Sequence, residues 1–151
     1  MGQGNFRPRQ CEDYRGFYVE YSSIYGNDNL DDTYEAICER DSNYNDFKDN
    51  IKFAMIKKFP KFDDKLNYNK NAWRNNNEKI LIDNELCQVI TADNQNSLAI
   101  YIIINDDNEN VNFAKRYIGN YYNALFEIVK GLVPAKSIYK PCGAWCSELI
   151  Y

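Results

Sequence analysis

The sequence predicts an α+β domain, and three of its features indicate this class. Three strand-like runs follow one another over about 79–105, separated only by short polar segments. A helix-like pattern covers 109–131 directly after them, and another covers 45–59 before them. Consecutive strands followed by helices are typical of a sheet with its helices packed on it. We therefore predict a twisted antiparallel β-meander packed by the long helix, with the shorter helix beside it.

The start of the chain is predicted to be a flexible arm followed by one strand. Residues 1–12 contain two glycines, a proline and two arginines and show no apolar periodicity. Residues 16–25 are rich in Tyr, Phe, Val and Ile, which favour strands. The segment 26–29, Gly-Asn-Asp-Asn, then predicts a turn. We expect one domain to span 13–151.

Two helices are predicted between this strand and the meander. The first is short, over 31–40, and begins with aspartates, which the positive end of a helix dipole favours. The second covers 45–59, with Asn45 as its N-cap and Pro60 marking its end. Its core-facing side chains recur at helical spacing, and they are Phe47, Ile51, Ala54, Met55 and Phe59.

The meander contains the most apolar run of the chain. Its two breaks, at 84–85 and 93–96, consist of turn-forming residues and have the length of hairpin loops. The run 98–104 is apolar at every position, and therefore on both faces of a strand. Such strands are covered on both sides. We expect this one to lie at the centre of the sheet.

The last third of the chain is predicted to contain the long helix and two short strands. Gly131 suits the C-terminal cap of the 109–131 helix, and Pro134 prevents its continuation. The strands are expected at 137–140 and 145–151. The apolar stripe of the helix comprises Ala114, Tyr117, Ile118, Tyr121, Leu125, Ile128 and Leu132.

Composition narrows the range of functions. The chain has no histidine but thirteen tyrosines. Without imidazole, the Ser-His and Cys-His catalytic pairs and most zinc sites are excluded. No glycine-rich phosphate loop and no closely spaced set of cysteine pairs replaces them. We therefore expect no cofactor, and we favour a function that is not enzymatic.

The cysteines favour a reducing compartment. Their number, five, is odd, which suits free thiols in a cytoplasmic protein. Cys142 and Cys146 supply at most half of a metal site, so we expect thiols that are simply buried. The chain begins with a polar, basic segment and not with an apolar signal segment, and the run 98–104 is too short to span a membrane. We expect a cytoplasmic protein with no membrane association.

Three acidic groupings are candidate sites for divalent cations. The segments 27–32 and 105–109 offer carboxylate and amide oxygens, the ligands of Ca²⁺ and Mg²⁺. Both precede predicted helices, where Asp and Asn serve as caps, and the first lacks the glycine of an EF-hand loop. Asp83 and Glu85 lie two residues apart in one turn, with Cys87 where a metal-dependent nuclease has a lysine. We therefore expect no metal site.

The tyrosines and carboxylates predict binding to another protein. Thirteen rings are too many for one small core, and exposed tyrosines often anchor protein interfaces. Residues 10–50 carry eleven acids against three bases, a net charge of −8, which disfavours nucleic acid as the partner. Frequent Asn, Ile, Lys and Tyr indicate AT-rich coding, which suits a phage or mobile element. We predict an accessory protein that docks onto or inhibits a host or defence protein, with carboxylates imitating phosphates. The predicted partner-binding residues are Tyr14, Tyr18, Glu20, Asp28, Asp31, Asp32 and Glu35.

Two alternatives remain open on the sequence. Residues 51–75 carry seven bases against two acids, a net charge of +5, which suits a nucleic-acid-binding module with a tryptophan to stack on bases. Its predicted binding residues are Arg7, Arg9, Lys57, Lys58, Lys61, Trp73 and Arg74. The second alternative is a histidine-independent enzyme, for which spacing assigns no catalytic residues.

Overall fold

The structure is a computed structural model. It describes residues 15–25, 33–59, 78–83, 87–104, 111–141 and 147–151. The predicted arm at 1–12 and the predicted turn at 26–29 lie outside these residues. Within the described ranges, none of the helices is long and apolar enough to cross a membrane.

The described strands form one antiparallel sheet. They are β1 (Arg15–Glu20), β2 (Glu78–Asp83), β3 (Cys87–Asp93), β4 (Ser97–Ile104), β5 (Ile138–Pro141) and β6 (Ser147–Leu149). Their order across the sheet is β2-β3-β4-β1-β5-β6, and each neighbouring pair is antiparallel. The predicted α+β class and the meander over 79–105 are confirmed. The apolar strand over 98–104 lies inside the sheet, between β3 and β1.

The first strand ends earlier than predicted and is followed by a short helix. The strand expected over 16–25 stops at Glu20, and α1 (Tyr21–Tyr25) follows directly. Glu20 pairs with Ser97, the first residue of β4, so the neighbouring strand continues no further. The Tyr21 N–H donates instead to the Asn96 carbonyl oxygen at 3.3 Å, in the turn before β4. Loss of the strand partner therefore explains the change of structure.

The two helices predicted before the meander are one helix, α2 (Tyr34–Lys58). Thr33 is its N-cap, since the Ala36 N–H donates to Thr33 Oγ1 at 3.2 Å. Asn45, the predicted cap, is an exposed residue inside the helix. The segment that joins the two predicted helices contains no glycine or proline, so nothing in its backbone interrupts the helix. The helix ends before Pro60, as predicted.

The long helix after the meander is α3 (Val111–Lys130), in agreement with the predicted 109–131 over the residues that the structure describes. Its described buried side chains are Ile118, Tyr121, Ala124, Leu125 and Val129. Ile128 is only half-buried, and Leu132 is exposed. Leu132 lies beyond the end of the helix, so helical spacing no longer places it on the stripe. The Gly131 N–H donates to the carbonyl oxygens of Glu127 and Ile128, both at 3.1 Å, as expected of a C-terminal cap.

Both faces of the sheet are buried at its centre. The first face packs against α2 and α3, and its side chains include Phe17, Val19, Val89, Leu98, Ile100 and Ile102. The second face carries a separate buried cluster, which consists of Ile90, Ala92, Ala99, Tyr101 and Ile103. Gly16 pairs with Tyr101, and a Cβ at Gly16 would collide with the Tyr101 Cβ. β4 is therefore covered on both sides, as predicted.

Candidate interaction surface

Helix α2 has two halves that differ in burial. In the C-terminal half, residues 47–58, the side chains of Phe47, Ile51 and Met55 are buried against the first face of the sheet. Their spacing of four residues places them on one side of the helix. In the N-terminal half, residues 34–46, every side chain is exposed or half-buried. The core therefore holds one half of α2 and leaves the other largely uncovered.

The N-terminal half presents apolar side chains to solvent. Tyr34 is 81% exposed and Ile37 is 40% exposed. Residues three apart are neighbours on a helix surface, so these two side chains form one small patch. Phe53, in the C-terminal half, is 67% exposed on the side of α2 opposite its buried residues. Single exposed apolar residues of this kind are common on protein surfaces.

Exposed carboxylates lie on both sides of Tyr34 along α2. Asp41 follows the Tyr34–Ile37 patch on the same side of the helix, and Glu35 and Glu39 lie further round it. No ion pair or side-chain hydrogen bond joins these three carboxylates to another described residue. We call the five exposed side chains of Tyr34, Glu35, Ile37, Glu39 and Asp41 the docking face. It spans more than half of the helix circumference, with the apolar pair and Asp41 on one side and Glu35 and Glu39 on the other.

Charge is separated between the halves of α2. The N-terminal half carries four carboxylates against one arginine, and the C-terminal half carries four lysines against one aspartate, giving −3 and +3. The helix dipole favours this polarity, but its effect is confined to the first and last turns. It accounts for Glu35, Lys57 and Lys58, and it leaves Glu39 and Asp41 without a dipole explanation.

The N-terminal half is attached to the rest of the described chain through α1. The Tyr44 ring meets the rings of Tyr21 and Tyr25 edge-on, with centroids 6.2 and 6.5 Å apart, and the latter two rings stack at 5.6 Å. The Asn43 side-chain amide donates to the Tyr25 carbonyl oxygen at 2.6 Å. The Lys48 ammonium lies 4.3 Å from the centroid of the Tyr44 ring. Aromatic contacts, with one hydrogen bond, thus fix the inner end of this half.

Two tyrosine hydroxyls converge on one carboxylate. Tyr21 and Tyr44 donate to Oδ1 of Asp93 at 2.6 and 2.9 Å. Burial, and next the hydrogen bond to Asp93, raise the pKa of Tyr21 and of Tyr44 well above the ordinary tyrosine value. Both hydroxyls therefore stay protonated, and remain donors, throughout the physiological pH range.

The predicted partner-binding residues do not share one surface. Tyr18 and Glu20 are half-buried on the second face of the sheet, where Glu20 accepts a hydrogen bond from the Tyr139 hydroxyl at 3.1 Å. Glu35 lies instead on the docking face of α2. Tyr14, Asp28, Asp31 and Asp32 lie outside the described residues. Whether Tyr18 and Glu20 bind a partner stays a prediction.

The predicted nucleic-acid-binding residues are mostly outside the described ranges. Lys57 and Lys58 are exposed in the last turn of α2. The others, Arg7, Arg9, Lys61, Trp73 and Arg74, are not among the described residues. The nucleic-acid alternative therefore stays a prediction.

The second face of the sheet carries buried carboxylates that have donors. Glu78 accepts a hydrogen bond from the Tyr101 hydroxyl at 2.9 Å, and Asp83 accepts one from the Gln88 side-chain amide at 3.1 Å. Buried polar groups with partners of this kind are ordinary features of a folded protein. These hydrogen bonds therefore satisfy buried polar side chains of the sheet, and we assign them no chemical role.

The metal candidates of the sequence gain no support from the described part of the chain. No group of three described Cys, Asp or Glu side chains is placed to hold a metal ion. Burial raises the pKa of the Cys87 thiol strongly, which keeps it protonated and a poor ligand or nucleophile. The other metal candidates lie outside the residues that the structure describes. They are Glu85, Cys142, Cys146 and the segments 27–32 and 105–109.

Sequence reasoning missed Tyr34, Ile37 and Phe53. For Tyr34 and Phe53 the signal existed, because the stripe through Phe47, Ile51 and Met55 fixes which side of α2 faces the core. At 100° per residue, Phe53 falls opposite Ile51 and Tyr34 falls well to one side. Ile37 falls within about 40° of Ile51, so the helical phase alone would place it on the core side. The prediction of two separate helices hid this, because it gave residues 34–40 a phase of their own.

Comparison with protein-family models, with curated proteins and with solved structures finds no match to this chain.

Proposed function

We propose that this protein is a non-enzymatic binding protein that docks onto a basic surface of another protein through the docking face of α2. One observation supports this most directly: a helix half with no buried side chain exposes Tyr34 and Ile37 side by side. A tyrosine buries much area at little cost in conformational entropy when a partner covers it. An apolar pair with carboxylates on the same helix half is suited to that role.

The carboxylates specify the charge of the partner. Glu35 and Glu39 lie four residues apart, where two like charges destabilise a helix by a few tenths of a kcal/mol. With Asp41 they give the docking face a negative potential that attracts a basic surface and repels phosphates. A protein partner is therefore favoured over a nucleic acid.

Among binding functions, inhibition of a nucleic-acid-binding protein agrees best with the acidic character of the docking face. Such a protein has a basic groove for phosphates, and the acids from Glu35 to Asp46 extend along about 16 Å of helix axis. The amino-acid usage, which indicates AT-rich coding, suits a phage or mobile-element accessory protein that blocks a host or defence protein in this way. The apolar pair would add contact area that phosphates lack.

The test is affinity capture with matched variants. Immobilised wild-type protein is incubated with a bacterial lysate, beside the variants Y34A/I37A and E35K/E39K. The controls are F53A, another exposed apolar residue of α2, and E127K/E148K, two exposed carboxylates elsewhere. We expect one captured protein to be lost with both docking-face variants and retained with both controls. Elution of that protein by short duplex DNA would support the inhibitor version.

Two results would contradict the proposal. One is capture that is unchanged in Y34A/I37A and E35K/E39K, and the other is no specific capture by the wild type. Binding of a labelled oligonucleotide, with an affinity that falls steeply as salt is raised, would instead favour the nucleic-acid alternative.

A further inference from the structure

We propose that Asp93 is a positioning residue, which fixes the N-terminal half of α2 by accepting the hydroxyls of Tyr21 and Tyr44. The inference concerns the attachment of this helix half, and it rests on the proposed function only in its last step, the orientation of the docking face.

The carboxylate is held by the sheet. Asp93 is the last residue of β3 and pairs with Leu98 of β4. The turn that follows is closed by a hydrogen bond from the Asn94 N–H to the Ser97 carbonyl oxygen at 2.9 Å. The end of a paired hairpin is a rigid support, so the carboxylate is a fixed point for the helices that bond to it.

The donors come from two different helices. Tyr21 begins α1 and lies 72 residues from Asp93 in sequence, whereas Tyr44 belongs to α2 and lies 49 residues away. Both donate to the same oxygen, Oδ1. Hydrogen bonds to a charged acceptor are stronger than those between neutral groups. One carboxylate thus joins α1, α2 and the β3–β4 turn.

The N-terminal half of α2 depends on such an attachment. It has no buried side chain, and an isolated helix of about 13 residues is marginal in water. The docking face begins at Tyr34, about 15 Å along the axis from Tyr44. A tilt of about 10° at Tyr44 would therefore move Tyr34 by roughly 3 Å, enough to misalign an interface.

The attachment lies at the edge of the core, where Tyr21 and Tyr44 are only partly buried. The C-terminal half of α2 is held by Phe47, Ile51 and Met55, which pack on the first face of the sheet. Loss of the Asp93 hydrogen bonds should therefore loosen residues 34–46 and spare residues 47–58. A residue needed only for overall folding would affect both halves alike.

Hydrogen exchange of the isolated full chain, followed by mass spectrometry, tests this. In D93A we expect the amides of 34–46 to exchange on the order of tenfold faster, with those of 47–58 unchanged. D93N should retain part of the protection, because its amide oxygen still accepts a hydroxyl hydrogen bond. Y44F should resemble D93A, and the double variant D93A/Y44F should add little to either single change. Q95A, an exposed residue of the same turn, is the control and should match the wild type.

Equal exchange of 34–46 in D93A and wild type would overturn the inference, and so would faster exchange in both halves of α2. The orientation of the docking face by Asp93 is tested with a captured partner. D93A should bind that partner more weakly than the wild type does, although every docking-face side chain is intact. Unchanged affinity would overturn that step. Absence of any partner would contradict the proposed function alone, because the exchange measurement needs none.

Discussion

The two halves of α2 belong to one unbroken helix, yet they are stabilised in different ways. Residues 47–58 owe their place to three buried apolar side chains on the sheet. Residues 34–46 owe theirs to an N-cap, to aromatic contacts and one hydrogen bond with α1, and to one hydrogen bond with Asp93. Burial holds the C-terminal half tightly, although side chains on its outer side, such as Phe53, stay exposed. The N-terminal half is held at its ends, which leaves most of its surface free for binding.

The largest expected effect is in the buried half. Ile51→Ala should lower the free energy of unfolding by about 2–5 kcal/mol, because it removes apolar contacts and leaves a cavity under the helix. Urea denaturation measures the change. Phe53→Ala, two residues away but exposed, should change stability by no more than about 0.5 kcal/mol. Similar losses in both variants would show that Phe53 is part of the core and would weaken the contrast.

The next largest effect is a loss of folding stability at alkaline pH, which arises where the N-terminal half of α2 is attached. The pKa values of Tyr21 and Tyr44 are higher in the folded protein than in the unfolded chain. Their contribution to stability is therefore complete below pH about 10, the unfolded value, and is lost as pH rises above it. Denaturation midpoints between pH 8 and 11 should fall more for the wild type than for Y21F/Y44F. Equal slopes would show that these hydroxyls are not linked to folding.

A smaller effect is expected at the start of α2. Thr33→Ala should cost about 1 kcal/mol locally, because it removes the acceptor of the Ala36 N–H. Since residues 34–46 carry no buried side chain, the loss should appear as faster exchange in the first turns and only slightly in the denaturation midpoint. Thr33→Ser keeps a hydroxyl and should match the wild type. A global loss as large as that of Ile51→Ala would mean that the halves unfold as one unit.

The smallest expected effect on stability is at the docking face. Tyr34→Ala together with Ile37→Ala should change the free energy of unfolding by no more than about 0.5 kcal/mol, because both side chains already contact water. Denaturation of the free protein measures this, and the same variant is expected to lose the captured partner. A large loss of stability would contradict the assignment of these residues to binding.

Local patterns were sufficient for most of the fold. The alternation and turn residues over 79–105 predicted the meander, and the uniformly apolar run 98–104 predicted a strand covered on both faces. The cap at Gly131 and the break at Pro134 predicted the end of α3. Each of these signals depends on residues close together in sequence, which is why no partner had to be known.

Local sequence patterns failed to predict features that depend on contacts between residues far apart in sequence. The pairing of Glu20 with Ser97 ends β1, and neither residue signals it alone. The exposure of Ile37 could not be predicted, because the phase set by Phe47, Ile51 and Met55 places it on the core side of α2. The bonds from Tyr21 and Tyr44 to Asp93 join residues 72 and 49 positions apart, so spacing could not reveal them.

The sequence by itself determined the class of the fold, the order of its strands along the chain and the acidic character of residues 34–46. Only the tertiary structure decided which side chains of that segment remain uncovered and what holds it in place. The physical reason is that hydrophobic periodicity and turn propensity are local properties, whereas burial and convergence on a shared carboxylate exist only once separate elements pack together.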